Sequence, residues 1–225
     1  MCGRYTLTPD METLQANFPF AIEEIAFVPR YNIAPSQQVL TYGAQGPKTA
    51  EYMRWGLIPV WAKEANIGFK MINAHAETVA TSGAFRSPLR KRRCLVLADG
   101  FYEWRKAGTA KIPMRIVLES RQPFGFAGLW DEWTDRATGQ QVRSCSIITT
   151  EPNQLLSTIH NRMPVILPPA AHALWLDRST EDPDVLRSLL KPYPSEEMEA
   201  YQVSTLANSV KNDRPECVLP AGLPV

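Results

Sequence analysis

Charge of one sign is what this chain most lacks. Its 225 residues carry 24 Lys and Arg against 23 Asp and Glu, a formal net charge of +1. So even a balance attracts no polyanion in bulk, and any nucleic-acid binding has to come from a local patch. Cysteines are few: Cys2, Cys94, Cys145 and Cys217. They lie far apart with no C-x-x-C pair, which speaks against a zinc ribbon. No apolar run approaches a membrane span, and the N-terminus lacks the apolar stretch of a secretory signal. The expectation is a chain with no membrane contact, cytoplasmic (nucleoid-associated if bacterial), where thiols stay reduced. No G-x-G-x-x-G or phosphate-loop pattern supports nucleotide binding. No cofactor and no metal are expected.

What is present suits a folded core. The composition is 44% hydrophobic and 21% charged, ordinary for a globular protein. Nineteen prolines point to many turns and short elements. Thr8-Pro9-Asp10 reads as a helix start with Thr8 as cap and Pro9 first in the helix, Met11, Leu14 and Phe18 forming one face. Further helices are expected from about Ala74 to just before Pro88, from Asn153 to about Ile159, from Pro169 to Asp177, and from Asp182-Pro183 onward. The last two should turn Leu174 and Trp175, and Val185, Leu186, Leu189 and Leu190, inward.

Short β-rich runs separate these helices: Val39–Tyr42, Glu51–Trp55, Cys94–Ala98, Met114–Leu118, Phe124–Leu129, Ser144–Thr149 and Tyr201–Thr205. Cys94 and Cys145 sit within such runs and read as core thiols. Many short strands with few helices predict an α+β fold, one domain over 1–225 of mainly antiparallel sheet. Strict βαβ alternation is missing, which speaks against a Rossmann-type arrangement.

Four segments put reactive polar groups where local pattern predicts burial or a tight turn. Met1-Cys2-Gly3 places a cysteine directly after the initiator. Removal of Met1 leaves Cys2 with a free α-amine beside its thiol; the plain alternative is a small terminal hydrophobe. Ile72-Asn73-Ala74-His75-Ala76-Glu77-Thr78 sets Asn73 at a strand-to-helix junction, where it could also be a cap. Gly100-Phe101-Tyr102-Glu103-Trp104 holds a carboxylate between aromatics, which on a strand could equally alternate outward. His160-Asn161-Arg162-Met163-Pro164 follows a short helix, and His160 could be a capping or core histidine. His75 and His172 look like surface or helix-face residues.

Together with Cys2-Gly3-Arg4, Tyr31-Asn32-Ile33-Ala34-Pro35, Trp55-Gly56-Leu57-Ile58-Pro59 and the tail Val210-Lys211-Asn212-Asp213, these motifs resemble the SRAP family (SOS response-associated peptidase). The likeness runs over nearly the whole chain, with His75 where some relatives carry arginine. It implies a barrel-like SRAP fold with peripheral helices and a protein that shields abasic sites in single-stranded DNA. It implies Cys2, Asn73, Glu103 and His160 as the reactive set. It also implies Arg4 and Arg162 on phosphates, with Asn32 and Pro35 beside the DNA.

The chemistry gives each residue a task. An α-amine, with a pKa of roughly 7.7–8.0, is partly neutral near neutrality and condenses with the aldehyde of an open abasic sugar. The neighbouring thiol then closes a thiazolidine, aided by proximity. Glu103 and His160 would move protons, and Asn73 would orient the amine or sugar. Arg86 opens the basic run Arg86-Ser87-Pro88-Leu89-Arg90-Lys91-Arg92-Arg93, either a solvated loop or a phosphate track. Trp61 and Trp55 could stack on bases, though Trp55 reads as well as core. The expected product is a covalent crosslink, with self-removal of Met1 and strand cleavage as side activities. The alternatives are a cysteine peptidase using Cys2, His160 and Asn73, and a non-catalytic reader of single-stranded or modified DNA. A monomer is expected.

Overall fold

A computed structural model describes residues 2–20, 25–46 and 48–221. Met1, whose removal the chemistry above requires, and the C-terminal Val225 lie outside the described residues. In chain order the strands are β1 (Tyr5–Leu7), β2 (Arg30–Ile33), β3 (Gln38–Tyr42), β4 (Ala50–Trp55), β5 (Asn73–His75), β6 (Arg93–Ala98) and β7 (Gly100–Ala107). After them come β8 (Ala110–Leu118), β9 (Phe124–Thr134), β10 (Gln141–Thr150), β11 (Met163–Pro164), β12 (Ile166–Leu167) and β13 (Met198–Gln202). The helices are α1 (Met11–Asn17), α2 (Arg86–Lys91), α3 (Gln154–Ser157), α4 (Pro169–Leu176) and α5 (Pro183–Ser188).

Five strands close on themselves. β3 pairs with β4 and β6, β6 with β9, β9 with β10, and β10 returns to β4 in parallel. A five-strand barrel is narrow enough for side chains to fill it, and every residue of β6 is buried. A second sheet runs β13-β8-β7-β1-β2. The two join through an aromatic cluster in which Tyr5 meets Trp55 and Phe126 edge-on, at ring-centroid distances of 5.2 and 5.8 Å. With a few short helices around it, this is the expected α+β fold.

β1 has only three residues, so side chains fix its register. Asp99, buried, accepts from the Thr6 hydroxyl (2.7 Å), from the Thr8 backbone N–H (3.2 Å) and from the Thr8 hydroxyl. Arg115 Nη2 closes the network on Asp99 at 2.9 Å. Tyr5 thereby faces Phe101 and Thr6 faces Gly100, and Tyr102 N–H donates to Arg4 O.

Several local expectations need correction. Asp10, not Thr8, caps α1, its side chain accepting from Thr13 N–H at 2.8 Å. Thr8 is drawn instead to Asp99. The helix expected from Ala74 to Pro88 does not form. Asn73–His75 is β5, beside β10 in parallel, followed by turns, and α2 begins at Arg86 and takes in Pro88. A proline in the first turn removes an N–H that has no intrahelical partner. Trp175 is buried while Leu174 and Val185 are exposed. The last predicted strand lies three residues earlier, at Met198–Gln202.

Candidate active site

Cys2 enters the site along the extension of β1. With Tyr5 opposite Phe101 on antiparallel β7, continuing the register brings Gly3 and Cys2 toward Glu103. The electrostatics agree. Burial pushes the Cys2 thiol well up, and the charge of Glu103 pushes it further in the same direction. Cys2 is fully buried, and the Arg4 backbone N–H points at its sulfur.

Glu103 is buried, 3% exposed. Its sequence neighbourhood allowed it to face either way; the structure turns it inward. Burial raises its carboxyl to about 7, so near neutrality it can both give and take a proton.

Asn73 lies in the other sheet, at the start of β5 beside β10. Trp55 Nε1 donates to Ile72 O at 2.9 Å, and Trp55 in turn supports Tyr5. The N-terminal strand and the start of β5 are therefore tied through one indole. Asn73 is 8% exposed, and its Nδ2 lies 3.4 Å from Ile147 O. Its Oδ1 is buried with no hydrogen-bond partner among the described residues.

His160 follows α3, its backbone N–H on Leu156 O at 2.8 Å. Its Nδ1 accepts from Arg162 N–H at 3.1 Å, so the ring proton belongs on Nε2. Burial lowers its pKa below the ordinary histidine value. Lys106, on β7 with Glu103, also acts on it, which sets His160 within electrostatic reach of the same strand. Arg162 binds β10 through Thr149 O at 2.7 Å, on the strand beside which β5 runs. Cys2 and Glu103 thus lie within electrostatic reach of each other, His160 lies within reach of β7 through Lys106, and Asn73 is connected to Tyr5 only indirectly, through Ile72 and Trp55.

The expected DNA contacts divide. Trp55 is fully buried; it is core, and its indole supports Tyr5 and Ile72 instead of stacking on a base. Asn32 is also fully buried. Its Nδ2 donates to Ser209 O (3.0 Å) and Asn212 O (2.6 Å), and its Oδ1 accepts from Arg4 Nη1 (2.8 Å). It fastens the C-terminal tail to β2, with its side-chain amide already hydrogen-bonded within the protein. Arg4 is partly committed, to Asn32, to Ala207 O and to the Trp104 ring. Pro35 is half-buried, Trp61 is 55% exposed, and Arg86 is exposed. Trp61 shares a concave surface with Lys63, Phe69 and Lys70; Arg86 shares another with Thr81, Arg90 and Lys91. Arg92 and Arg93 leave the basic run, binding Asp131 and the carbonyls of Trp175 and Leu89. His75 is exposed, and His172 stacks on Phe18 from α4.

Sequence reasoning missed two groups. Glu77 grips Arg162 through both carboxylate oxygens, at 2.7 and 3.0 Å. It stood inside a quoted motif, but nothing local pairs positions 77 and 162. The Asp99–Arg115 pair beneath β1 was missed for the same reason. Among the described residues no cluster of His, Cys, Asp or Glu could hold a metal ion, and no helix is long and apolar enough to cross a membrane.

Comparison with known proteins agrees with this architecture. Residues 1–210 match the family model described as SOS response associated peptidase (SRAP). The abasic site processing protein YoqW of Bacillus subtilis is 48% identical over 222 residues, covering 97% of this chain and 99% of its own length. Abasic site processing protein HMCES of Gallus gallus is 35% identical over 196 residues, 77% of this chain and 58% of its own. A crystal structure of a protein from Bacteroides thetaiotaomicron superposes with a TM-score of 0.89 at 29% identity, covering 98% of this chain and all of the other. The chain belongs to the SRAP family.

Proposed function

We propose that this protein processes abasic sites in single-stranded DNA by capturing the open sugar covalently on Cys2, once Met1 has been removed. The α-amine nitrogen attacks the aldehyde carbon, and loss of one water gives the imine. The thiol sulfur then adds to the imine carbon, and the thiol proton ends on nitrogen. The product is a thiazolidine, with water the only leaving group.

The observation that carries this reading is the buried Glu103 set beside Cys2. A carboxyl near 7 can protonate the departing hydroxyl as acid and receive the thiol proton as base. His160, neutral with its proton on Nε2, is the second proton carrier, suited to the sugar ring oxygen. Asn73 Oδ1 accepts from the amine or a sugar hydroxyl. The names of the relatives, abasic site processing proteins, fit this substrate. Phosphates would meet Arg162 and Arg86, and a base would stack on Trp61.

The thiol's environment argues against a cysteine peptidase as the main activity. Such a nucleophile works as thiolate and needs a lowered pKa. Here burial and Glu103 both push the thiol up, which suits attack by the amine first and by sulfur second.

The test mixes protein with abasic single-stranded DNA and resolves the product on a denaturing gel. Wild type should give a heat-stable adduct. Cys2→Ala keeps an amine, so it should give an adduct only when borohydride traps the imine. A heat-stable adduct from Cys2→Ala without reductant would remove the thiol from the mechanism.

A further inference from the structure

Arg162 is engaged before any ligand arrives. Its planar fork holds the Glu77 carboxylate at two points, 2.7 and 3.0 Å, and its Nη2 also donates to Thr149 O at 2.7 Å. The two side chains differ in exposure, 16% for Arg162 against 50% for Glu77. The arginine is therefore the inner partner, anchored on β10, and the carboxylate is the outer one. The same Arg162 presents its backbone N–H to His160 Nδ1 at 3.1 Å. One residue links an outward carboxylate to the imidazole of the site.

A guanidinium fork accepts carboxylate and phosphate in the same bidentate geometry. Glu77 sits where an anion approaching Arg162 from solvent has to sit. An ion pair with one half-exposed partner is a weak restraint, so another anion can replace it. The Thr149 O contact does not involve Glu77 and anchors the same guanidinium independently of it.

We propose that Glu77 is an internal stand-in for a backbone phosphate: it holds Arg162 in the ligand-free protein and gives way when a phosphodiester of single-stranded DNA takes the guanidinium. This rests on the DNA reading above. Glu77 touches no reacting atom in this scheme; it is a positioning residue, keeping the His160 turn ordered until the ligand takes over that task.

The test is a double-mutant cycle on binding to fluorescently labelled, undamaged oligothymidylate. It compares wild type, Glu77→Gln, Arg162→Ala and the double variant, each first checked by thermal melting. Glu77→Gln should bind roughly three- to fivefold tighter, the size of a released surface pair. Arg162→Ala should bind more weakly, and the double variant should show no gain over Arg162→Ala. On abasic DNA, Glu77→Gln should lower the half-saturating concentration and leave the saturating adduct rate unchanged. A merely structural Glu77 would move that rate as well. No gain from Glu77→Gln overturns the proposal. So does the same gain in the Arg162→Ala background, because Glu77 would then act as a diffuse negative charge. A wild type that binds the oligomer yet forms no adduct with abasic DNA overturns the crosslinking reading and leaves this cycle interpretable.

Discussion

At Glu103, burial that suits proton transfer also opposes folding. The carboxyl rises from 4.5 to about 7 because the charged form is desolvated. Between those values the folded protein holds a proton that the unfolded chain has released. Stability from this group is therefore full below pH 4.5 and lost as pH rises through about 7. Glutamine cannot ionise. Glu103→Gln should match wild type near pH 4 and exceed it at pH 8 by about 3 kcal/mol. The same variant should slow adduct formation by about 10²–10⁴-fold, the usual share of a general acid–base group. Urea melts at the two pH values, beside adduct time courses, check both halves. Parallel stability profiles would show that Glu103 is not held protonated by burial. Asn32 illustrates the opposite case, a polar residue buried for architecture. Its amide satisfies carbonyls of the tail, so Asn32→Ala should destabilise by about 1–3 kcal/mol. Its affinity for undamaged DNA, measured where the variant is fully folded, should stay at the wild-type value. A loss of affinity there would return Asn32 to the interface.

Among elements, β1 decides whether the site assembles. Three residues cannot hold a register by backbone pairing alone, and the load falls on Asp99 and Arg115. Both are buried, and removing one partner of a buried pair strands the other charge. Asp99→Ala should cost about 3–5 kcal/mol and reduce adduct yield even at temperatures where the variant is fully folded. Wild-type yield from a folded Asp99→Ala would mean that backbone pairing is enough. Element by element, the sequence was legible where a strand is long and apolar. β3, β4, β6 and β10 stand where alternation and β-branching placed them, within a few residues at their ends. β1, β5 and β7 were not legible as strands. β1 and β5 are three residues long, and β7 mixes glycine, aromatics and charge, so partners distant in sequence define them. Pro88 misled because proline at a helix start and proline after a helix end look alike without the flanking fold.

At the scale of the molecule, barrel closure was the least legible feature, because the parallel return of β10 to β4 joins segments about ninety residues apart. The residues proposed to react stood out one by one, as polar groups interrupting apolar runs. The approach of Cys2 to Glu103 was not legible, since it comes about through β1–β7 pairing between distant segments. That convergence makes the two chain ends unequal. Cys2 is fully buried beside Glu103, while the tail is pinned at Val203 with Pro220 and by Ala221 N–H on Gln202 O. A non-cleavable extension before Met1 locks the Cys2 nitrogen in an amide, which cannot condense with an aldehyde. The thiol, Glu103, His160 and Arg162 would all remain. A passive DNA reader keeps its affinity in such a form, and a thiol-only peptidase keeps some activity. The proposed crosslinker should lose all heat-stable adduct, whereas an extension after Val225 should preserve it. The measurement is adduct yield on abasic single-stranded DNA for both forms, with binding to undamaged DNA as the folding control. Equal yields, with intact mass showing the N-terminal extension still attached, would eliminate the α-amine as the nucleophile that opens the reaction.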